Sequence, residues 1–331
     1  KIGVIGAGSF GTALAMTLSG KGHAVTLWAR RPEQVADMRK THQNMHYLPD
    51  VTLPEALQFT DDLQDAVQGK DLLLLTVPAQ TFRDVFTQVA ACMDPQIPVV
   101  NAAKGIEKGR LLRLSEVAQQ IMPDVKYAAL SGPSHAEEVA RALPTTVVTA
   151  STAPDLAITV QDIFSTDRFR VYTNDDLIGV ELGGALKNII ALGAGISDGL
   201  QLGDNTKAAM MTRGMTEMTR LGLALGAHAE TFAGLAGIGD LIVTCTSMHS
   251  RNRRCGILIG QGKQVADAVK EVGMVVEGLS TAEAATALAQ KYQVEMPITQ
   301  CIYHMIQGSV NAAEAIDLLM GRERKKENII L

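Results

Sequence analysis

Apolar and polar positions follow different patterns in the two halves of this chain. In the first half, short apolar runs typical of buried strands alternate with amphipathic segments typical of helices. The clearest run, residues 71–77, is apolar on both faces and ends at Pro78, as a buried parallel strand does. Because strands alternate with helices, we predict a parallel sheet with right-handed crossovers.

The same pattern locates the other elements of the first half. We predict that two late strands join the same sheet as the earlier ones. The predicted strands cover residues 2–5, 24–29, 71–77, 98–101, 127–130, 145–150 and 169–173, and the predicted helices cover 9–19, 32–40, 81–93 and 111–122.

After about Asn174, strand candidates nearly vanish and helical periodicity dominates. Glycines inside these helices cost up to about 1 kcal/mol each relative to alanine, so close helix packing or close ligand approach must offset them. We therefore predict an α/β fold with an N-terminal domain at 1–174 and an all-helical C-terminal domain at 175–331. The predicted helices of the second domain cover 175–199, 204–226, 250–262, 281–291 and 312–319.

A glycine-rich turn, Gly6-x-Gly8-x-x-Gly11, lies between the first predicted strand and the first predicted helix. In this context the first glycine permits a tight turn, and the second lets the backbone approach a pyrophosphate. The third lets the helix pack closely on the strand. The amides of the helix start, with the helix dipole behind them, can hold the pyrophosphate. This context predicts a Rossmann-type dinucleotide-binding domain, and the alternative is a glycine-rich turn of another α/β fold.

The end of the second predicted strand indicates which dinucleotide is bound. An NAD site places Asp or Glu there, against the ribose 2′-hydroxyl, whereas this chain has Arg30 and Arg31. Because a guanidinium can donate two hydrogen bonds to a phosphate, we predict that NADP is accepted and that NADPH is preferred over NADH. The alternative is a pair of solvated loop arginines. FAD is disfavoured, because the second domain offers lysines and anion donors and no evident cradle for a flavin ring.

Composition excludes several other classes of protein. The net charge of −5 and the aromatic content of 4% disfavour a nucleic-acid-binding surface. We find no apolar run near the roughly 20 residues that a membrane span needs, and no secretory leader. The four cysteines lack metal-ligand spacing, so we interpret them as reduced thiols and predict a cytoplasmic protein without a metal site.

Four polar segments interrupt this framework where chemistry is expected. Lys104 follows one predicted strand and Ser134 follows another, so both lie at carboxyl ends of the sheet, where ligands bind. Lys187 lies in an apolar, glycine-rich helix, which favours a buried functional lysine over an ordinary surface lysine. Asp240 stands in the fourth segment, ahead of a further run of arginines.

Two of these segments also have purely structural interpretations. Ser134 and Glu137 match a capping box, and His135 is interpreted as a residue of the helix start. Ser250 resembles an N-cap, with Arg251 and Asn252 in the first helical turn. Positive charge there opposes the helix dipole unless an anion docks on the same amides. We therefore predict a phosphate cradle, with solvated charge as the alternative.

The segments GAGSFGTALA, NAAKG, SGPSHAEE, GGALKNIIALGAGISDGL, GDLIVTCTSMHSRNRR and VVEG, in this order, resemble the bacterial NAD(P)-dependent glycerol-3-phosphate dehydrogenases. The resemblance extends from about Lys1 to Arg322. It implies interconversion of sn-glycerol 3-phosphate and dihydroxyacetone phosphate, normally by reduction of the ketone to supply phospholipid synthesis. It also implies a cytoplasmic homodimer that acts on a triose phosphate.

The resemblance further implies roles for individual residues. Lys187 is the expected proton donor and acceptor, assisted by Lys104 and Asp240. The expected cofactor contacts are Gly6, Gly8, Ser9, Phe10, Gly11, Arg30, Arg31, Lys104, Ala136, Arg251, Val275 and Glu277. The expected substrate contacts are Lys104, Gly132, Ser134, Lys187, Asp240, Ser250, Arg251 and Asn252.

Elementary chemistry agrees with this assignment. When hydride reaches a ketone carbon, negative charge grows on the carbonyl oxygen, and a nearby ammonium stabilises that charge and delivers a proton. We expect burial and the charge of Lys104 to lower the pKa of Lys187. Asp240 would orient Lys187 or hold a substrate hydroxyl. Two alternatives stay open, namely a 3-hydroxyacid dehydrogenase of the 6-phosphogluconate type and a non-catalytic NADP-sensing regulator.

Overall fold

The computed structural model describes residues 1–324 and 326–327, so the end of the predicted second domain, residues 325 and 328–331, lies outside the described residues. The chain forms two compact units. The first consists of Lys1–Ala103 and Leu114–Val180. The second consists of Lys104–Arg113 together with the chain from Glu181 onward, so the boundary falls inside one long helix.

The first unit is built on an eight-stranded sheet. Its strands are β1 (Ile2–Ile5), β2 (Val25–Trp28), β5 (Gln58–Thr60), β6 (Leu72–Leu75), β7 (Val99–Asn101), β10 (Tyr127–Ser131), β11 (Thr145–Ser151) and β12 (Phe169–Asn174). They lie in the order β12-β11-β10-β7-β6-β1-β2-β5. The six strands from β5 to β10 in this order are parallel and have the doubly wound arrangement of a Rossmann domain. The predicted fold class is confirmed.

The helices of the first unit connect these strands. They are α1 (Ser9–Gly20), α2 (Pro32–Thr41), α3 (Leu63–Val67), α4 (Phe82–Ala90), α5 (Leu114–Ile121), α6 (Ala136–Ala140) and α7 (Pro154–Phe164). A small hairpin of β3 (Gln43–Asn44) and β4 (Leu48–Thr52) follows α2. Strand β6 is fully buried along its four leucines, as expected for a strand covered on both faces.

The prediction of a wholly parallel sheet is wrong at one place. Strand β10 pairs with β11 in antiparallel register, Leu130 opposite Thr149, whereas β11 and β12 are parallel. Strand β5 was not predicted, because three residues with a polar start carry too weak a pattern. The helix predicted at 111–122 begins only at Leu114, because Leu112–Arg113 forms β9 and pairs with β8 (Ile106–Glu107).

Beyond the β8–β9 pair, the regular elements in the described part of the second unit are all helices. They are α8 (Leu177–Gly199), α9 (Gly203–Ala224), α10 (Ala229–Phe232), α11 (Asp240–Thr246), α12 (Arg251–Gly260), α13 (Val265–Val272), α14 (Glu277–Tyr292), α15 (Pro297–Ile306) and α16 (Ala312–Met320). A π-helical turn, Leu235–Gly239, leads into α11. The expected loss of strands after Asn174 is confirmed for the described residues.

Helix α8 is the central element of the second unit. Residues 182–197 are all buried, which explains why this helix is apolar around its whole circumference. By length and mean hydropathy alone it could cross a membrane, although Glu181 and Lys187 interrupt its apolar sequence. However, 89% of its apolar window is buried inside the protein, as in a core helix.

Candidate active site

The glycine-rich turn joins β1 to α1 in the first unit. Gly6 has a φ of +117°, which L side chains rarely adopt, and a Cβ on Gly11 would lie 2.0 Å from the Gly6 carbonyl oxygen. The turn therefore needs these two glycines for its own geometry. A Cβ on Gly8, the N-cap of α1, would meet no described protein atom within 4 Å. This open space at the start of α1 is compatible with a bound dinucleotide pyrophosphate.

Two side-chain amides that the sequence analysis missed hold this turn in place. Asn44 donates from Nδ2 to the Ala7 carbonyl oxygen at 3.0 Å and to Thr12 Oγ1 at 2.8 Å. Gln34 donates from Nε2 to the same Ala7 oxygen at 2.8 Å. No local motif marks these residues, because the β3–β4 hairpin brings Asn44 to the turn only in the folded chain.

Arg30 and Arg31 follow β2, the parallel neighbour of β1, so they lie at the same edge of the sheet as the glycine-rich turn. Both side chains are exposed. The Arg31 guanidinium lies 5.8 Å from the centroid of the Tyr47 ring and donates to Gln34 Oε1 at 3.3 Å. An exposed guanidinium held at this edge is compatible with binding a 2′-phosphate.

The segment after β10 reaches the same sheet edge, because β10 belongs to the parallel part of the sheet. Ser134 donates from its hydroxyl to the Gly132 carbonyl oxygen at 2.9 Å. Helix α6 begins at Ala136 with His135 as its N-cap, so the capping-box interpretation of Ser134 and Glu137 is wrong. The helix starts two residues after the serine, while His135 is confirmed as a residue of the helix start.

Two lysines share one buried carboxylate in the second unit. Lys187 Nζ lies 2.6 Å from Asp240 Oδ1, and Lys104 Nζ lies 2.6 Å from Asp240 Oδ2. Lys187 and Asp240 are 6% and 1% exposed, so the alternative of an ordinary surface lysine is wrong. Two ammonium groups and one carboxylate leave a net charge of +1, which suits an oxygen that gains negative charge.

Thr244 belongs to this cluster, although the sequence analysis assigned it no role. Its hydroxyl accepts from Lys187 Nζ at 2.6 Å and donates to the Asp240 carbonyl oxygen at 2.6 Å. The four-residue spacing from Asp240 on α11 was the available signal, since residues i and i+4 share a helix face. Lys187 has three N–H donors, and its partners among the described residues use two of them.

Close backbone packing brings Asp240 to Lys187. A Cβ on Gly183, one turn before Lys187 in α8, would lie 2.5 Å from the Ala236 carbonyl oxygen of the π-helical turn. This confirms close packing as a reason for glycine inside α8. Lys104 begins a ten-residue segment of the second unit, and α8 holds the other end of this segment, because Arg113 donates from Nη1 to Glu181 Oε2 at 2.8 Å.

Burial and the neighbouring charges shift the pKa values of the cluster. Burial lowers the pKa of Lys187 to about 8, Asp240 opposes this change, and the charge of Lys104 adds to it. This confirms the predicted direction. Burial by itself would raise the pKa of Asp240, but the ammonium groups of Lys104 and Lys187 outweigh it and hold that pKa below its usual value.

The predicted phosphate cradle is the start of α12. Ser250 is its N-cap, as predicted, and the Ser250 hydroxyl accepts from the Arg253 amide at 3.2 Å. Arg251, the first residue of the helix, is partly exposed. Asn252 is buried, and its Nδ2 donates to Asn188 Oδ1 at 2.9 Å.

The remaining predicted contacts lie at the start of α14. The Gly278 amide donates to Asn252 Oδ1 at 2.8 Å, so both ends of the Asn252 amide have protein partners. Glu277 is the first residue of α14, and Val275 is exposed just before it. The second unit therefore brings the lysine–aspartate cluster, the start of α12 and the start of α14 together around the middle of α8.

A Rossmann sheet with a glycine-rich turn, in a chain that also buries two lysines on one aspartate, defines the class of nicotinamide-dependent dehydrogenases. Comparison with known proteins then identifies the family. The family models for the N-terminal and C-terminal parts of NAD-dependent glycerol-3-phosphate dehydrogenase match residues 1–157 and 176–317. The chain belongs to the NAD-dependent glycerol-3-phosphate dehydrogenase family.

Individual relatives are similar to this chain over nearly its whole length. It is 52% identical over 327 residues to a glycerol-3-phosphate dehydrogenase of Thermoanaerobacter sp., which covers 99% of this chain and 98% of the relative. It is 50% identical over 329 residues to the enzyme of Clostridium perfringens, with 99% of each chain covered. The crystal structure of the Coxiella burnetii enzyme superposes with a TM-score of 0.94 at 41% identity, covering 97% of this chain and 98% of that one.

The hydrogen bonds that Asn44 donates to Ala7 and Thr12 lead to a prediction about cofactor binding. Asn44→Asp keeps the size of the side chain but removes the N–H donors to Ala7 and Thr12. We expect the KM for the nicotinamide cofactor to rise about tenfold, as for the loss of one to two hydrogen bonds, with kcat nearly unchanged. Steady-state kinetics of the variant and of a Gln43→Ala control measure this. An unchanged cofactor KM would contradict the claim that Asn44 holds the glycine-rich turn in place.

Proposed function

We propose that this protein interconverts sn-glycerol 3-phosphate and dihydroxyacetone phosphate with NAD(P)(H), and that it reduces the ketone to supply phospholipid synthesis. The observation that carries the proposal is the aspartate shared by Lys104 and Lys187, in a chain of the glycerol-3-phosphate dehydrogenase family. The relatives named above carry this activity in their names.

The dinucleotide is held by the first domain, here proposed as residues 1–174, and the substrate chemistry resides in 175–331 together with Lys104. Ser9, Phe10 and the three glycines hold the pyrophosphate, and Arg30 and Arg31 hold the adenosine ribose and its 2′-phosphate. Ala136, Val275 and Glu277 are further contacts. When bound, the nicotinamide supplies or accepts a hydride at the substrate carbon.

Lys187 moves the proton. In the direction of reduction, its ammonium donates a hydrogen bond to the substrate oxygen and transfers a proton as that oxygen gains negative charge. Asp240 and Thr244 each accept one N–H, which leaves the third N–H for the substrate. In the reverse direction the neutral amine accepts the hydroxyl proton. A pKa of about 8 lets one group serve both directions near neutral pH.

Substrate anchoring lies away from the reacting carbon. Ser250, Arg251 and Asn252 at the start of α12 hold the phosphate, Gly132 and Ser134 contribute further contacts, and Lys104 contacts both substrate and cofactor. Anchoring the phosphate orients the ketone before reaction and so reduces the entropic part of the barrier. The proposal is tested by following NADPH oxidation with dihydroxyacetone phosphate. Oxidation of NADPH by 6-phosphogluconate-type or acyl-CoA ketones instead would favour a 3-hydroxyacid dehydrogenase. No turnover at all would favour a non-catalytic NADP-sensing regulator.

We also propose that the protein is cytoplasmic and forms a homodimer. Helix α16 supports the second point, because Ile316 and Met320, four residues apart and so on one face of it, are 37% and 81% exposed. Exposed apolar side chains clustered on one short helix are typical of an association surface. The solution mass, measured by light scattering, distinguishes a dimer from a monomer.

Lys187→Ala removes the proton donor and leaves the glycine-rich turn intact. We expect kcat for dihydroxyacetone phosphate reduction to fall by at least about a hundredfold, with little change in NADPH affinity measured by fluorescence titration. Lys263→Ala, a change at an exposed lysine of the same unit, is the control and should retain full activity. Near-wild-type turnover of Lys187→Ala would overturn the assignment.

The pH dependence follows from the lowered pKa of Lys187. Reduction requires the ammonium form, so kcat/KM should be nearly constant up to about pH 7, reach half its maximum near pH 8 and fall further as the pH rises. Lys104 lowers the pKa of Lys187, so Lys104→Met should move this alkaline limb to higher pH, whatever its effect on the absolute rate. A limb that stays in place or moves to lower pH would contradict the coupling.

Arg30 and Arg31 generate the prediction on cofactor preference. In the double variant Arg30→Ala/Arg31→Ala, we expect KM for NADPH to rise about tenfold or more and KM for NADH to change little, because only NADPH carries the 2′-phosphate. Lys40→Ala, an exposed residue of α2, is the control. A strong preference for NADH in the wild type, unchanged in the double variant, would end this interpretation.

A further inference from the structure

Arg253 lies in the same helical turn as the proposed phosphate ligands but is engaged inside the protein. Its Nε and Nη2 lie 2.8 and 2.7 Å from Asp198 Oδ2, and its Nη1 donates to the Thr246 carbonyl oxygen at 2.6 Å. The Arg253 side chain is only 13% exposed. Because Asp198 and Thr246 already occupy three of its N–H donors, Arg253 is poorly placed to bind a substrate anion.

These contacts join three helices at the start of α12. Asp198 stands near the end of α8, and Thr246 is the last residue of α11. Helices α8 and α11 also carry Lys187 and Asp240. The Arg253 side chain therefore connects the start of α12 to the two helices that hold the lysine–aspartate cluster.

Backbone packing sets the distance between α8 and α12. A Cβ on Gly195 would lie 2.1 Å from the Arg253 carbonyl oxygen, and a Cβ on Gly256 would lie 2.1 Å from the Leu192 carbonyl oxygen. The two helices thus touch through their backbones. Since Ser250 accepts the Arg253 amide, the backbone of Arg253 also fixes the Ser250 hydroxyl at the N-cap.

We propose that Arg253 and Asp198 are positioning residues for recognition of the substrate phosphate. They hold the first turn of α12 so that Ser250 and Arg251 face the phosphate, and they do not contact it themselves. This inference rests on the proposed function, in which that turn binds the phosphate of a triose phosphate. It assigns different roles to two arginines of this turn: Arg251 binds the anion, and Arg253 holds the turn in place from inside the protein.

Lys207 provides a matched control. Its Nζ lies 2.6 Å from Asp198 Oδ1, on the other oxygen of the same carboxylate, and it belongs to α9. Lys207→Met removes one partner of Asp198 but keeps both partners of Arg253, Asp198 and Thr246. It should therefore leave phosphate recognition unchanged.

The experiment compares dihydroxyacetone phosphate with dihydroxyacetone, which lacks the phosphate, in the full-length protein. Arg253→Lys keeps the charge but loses the forked geometry, and Asp198→Asn keeps the size but loses the charge. For both variants we expect KM for dihydroxyacetone phosphate and Ki for inorganic phosphate to rise about tenfold, as for one charge-assisted hydrogen bond. We expect kcat to change little, and kcat/KM for dihydroxyacetone and NADPH affinity to stay within about twofold.

The double variant Arg253→Lys/Asp198→Asn should lose no more than either single variant, because both changes break one contact. Equal losses for both ketones would show a merely structural role and overturn the inference, as would an unchanged KM for dihydroxyacetone phosphate. If one single variant fails to fold, the other decides by the same comparison.

Variants of the direct ligands test the premise separately. Ser250→Ala and Arg251→Ala should reduce the preference for dihydroxyacetone phosphate over dihydroxyacetone. If they do not, the placement of the phosphate in the proposed function fails. If they do and the Arg253 and Asp198 variants do not, only the positioning role fails.

Discussion

The proposed catalytic chemistry depends on one buried carboxylate, that of Asp240, shared by two ammonium groups. Asp240 satisfies Lys187 and Lys104 with one oxygen each, at 2.6 Å. Burying any of these charges without the others would cost several kcal/mol, so each is tolerated only because the others are present. Together the three groups retain a net positive charge, and an alkoxide that develops beside them would neutralise it.

The helical unit is built so that this cluster can form. Helix α8 is buried along most of its length, and other backbones come close enough to exclude a Cβ at Gly183 and Gly195. These glycines lower helix propensity, and the close packing that they permit brings α11 and α12 against α8. The apolar composition that makes α8 resemble a membrane span is the composition of a helix surrounded by protein.

The glycine-rich turn of the first unit depends on contacts of a different kind. The glycine-rich turn is short and local, yet its conformation depends on Asn44 and Gln34, which lie 37 and 27 residues from Ala7 in sequence. The local glycine-rich pattern thus predicts a dinucleotide ligand, while the side-chain amides of Asn44 and Gln34, distant in sequence, hold the turn in its conformation. The same division appears at the start of α12, where Ser250 and Arg251 follow a recognisable pattern and Asp198 does not.

The sequence by itself determined the alternation of strands and helices, the glycine-rich turn, the helical second half and the segments that carry Lys104, Lys187 and Asp240. Each of these depends on periodicity or on steric demands within a few residues. Only the tertiary structure decided that β11 runs antiparallel to β10, that Ser134 is not a cap, and that Asp240 joins two lysines 53 and 136 residues away. Such contacts depend on how helices and hairpins pack, and packing arises from the whole chain because no local pattern encodes the distance between remote side chains.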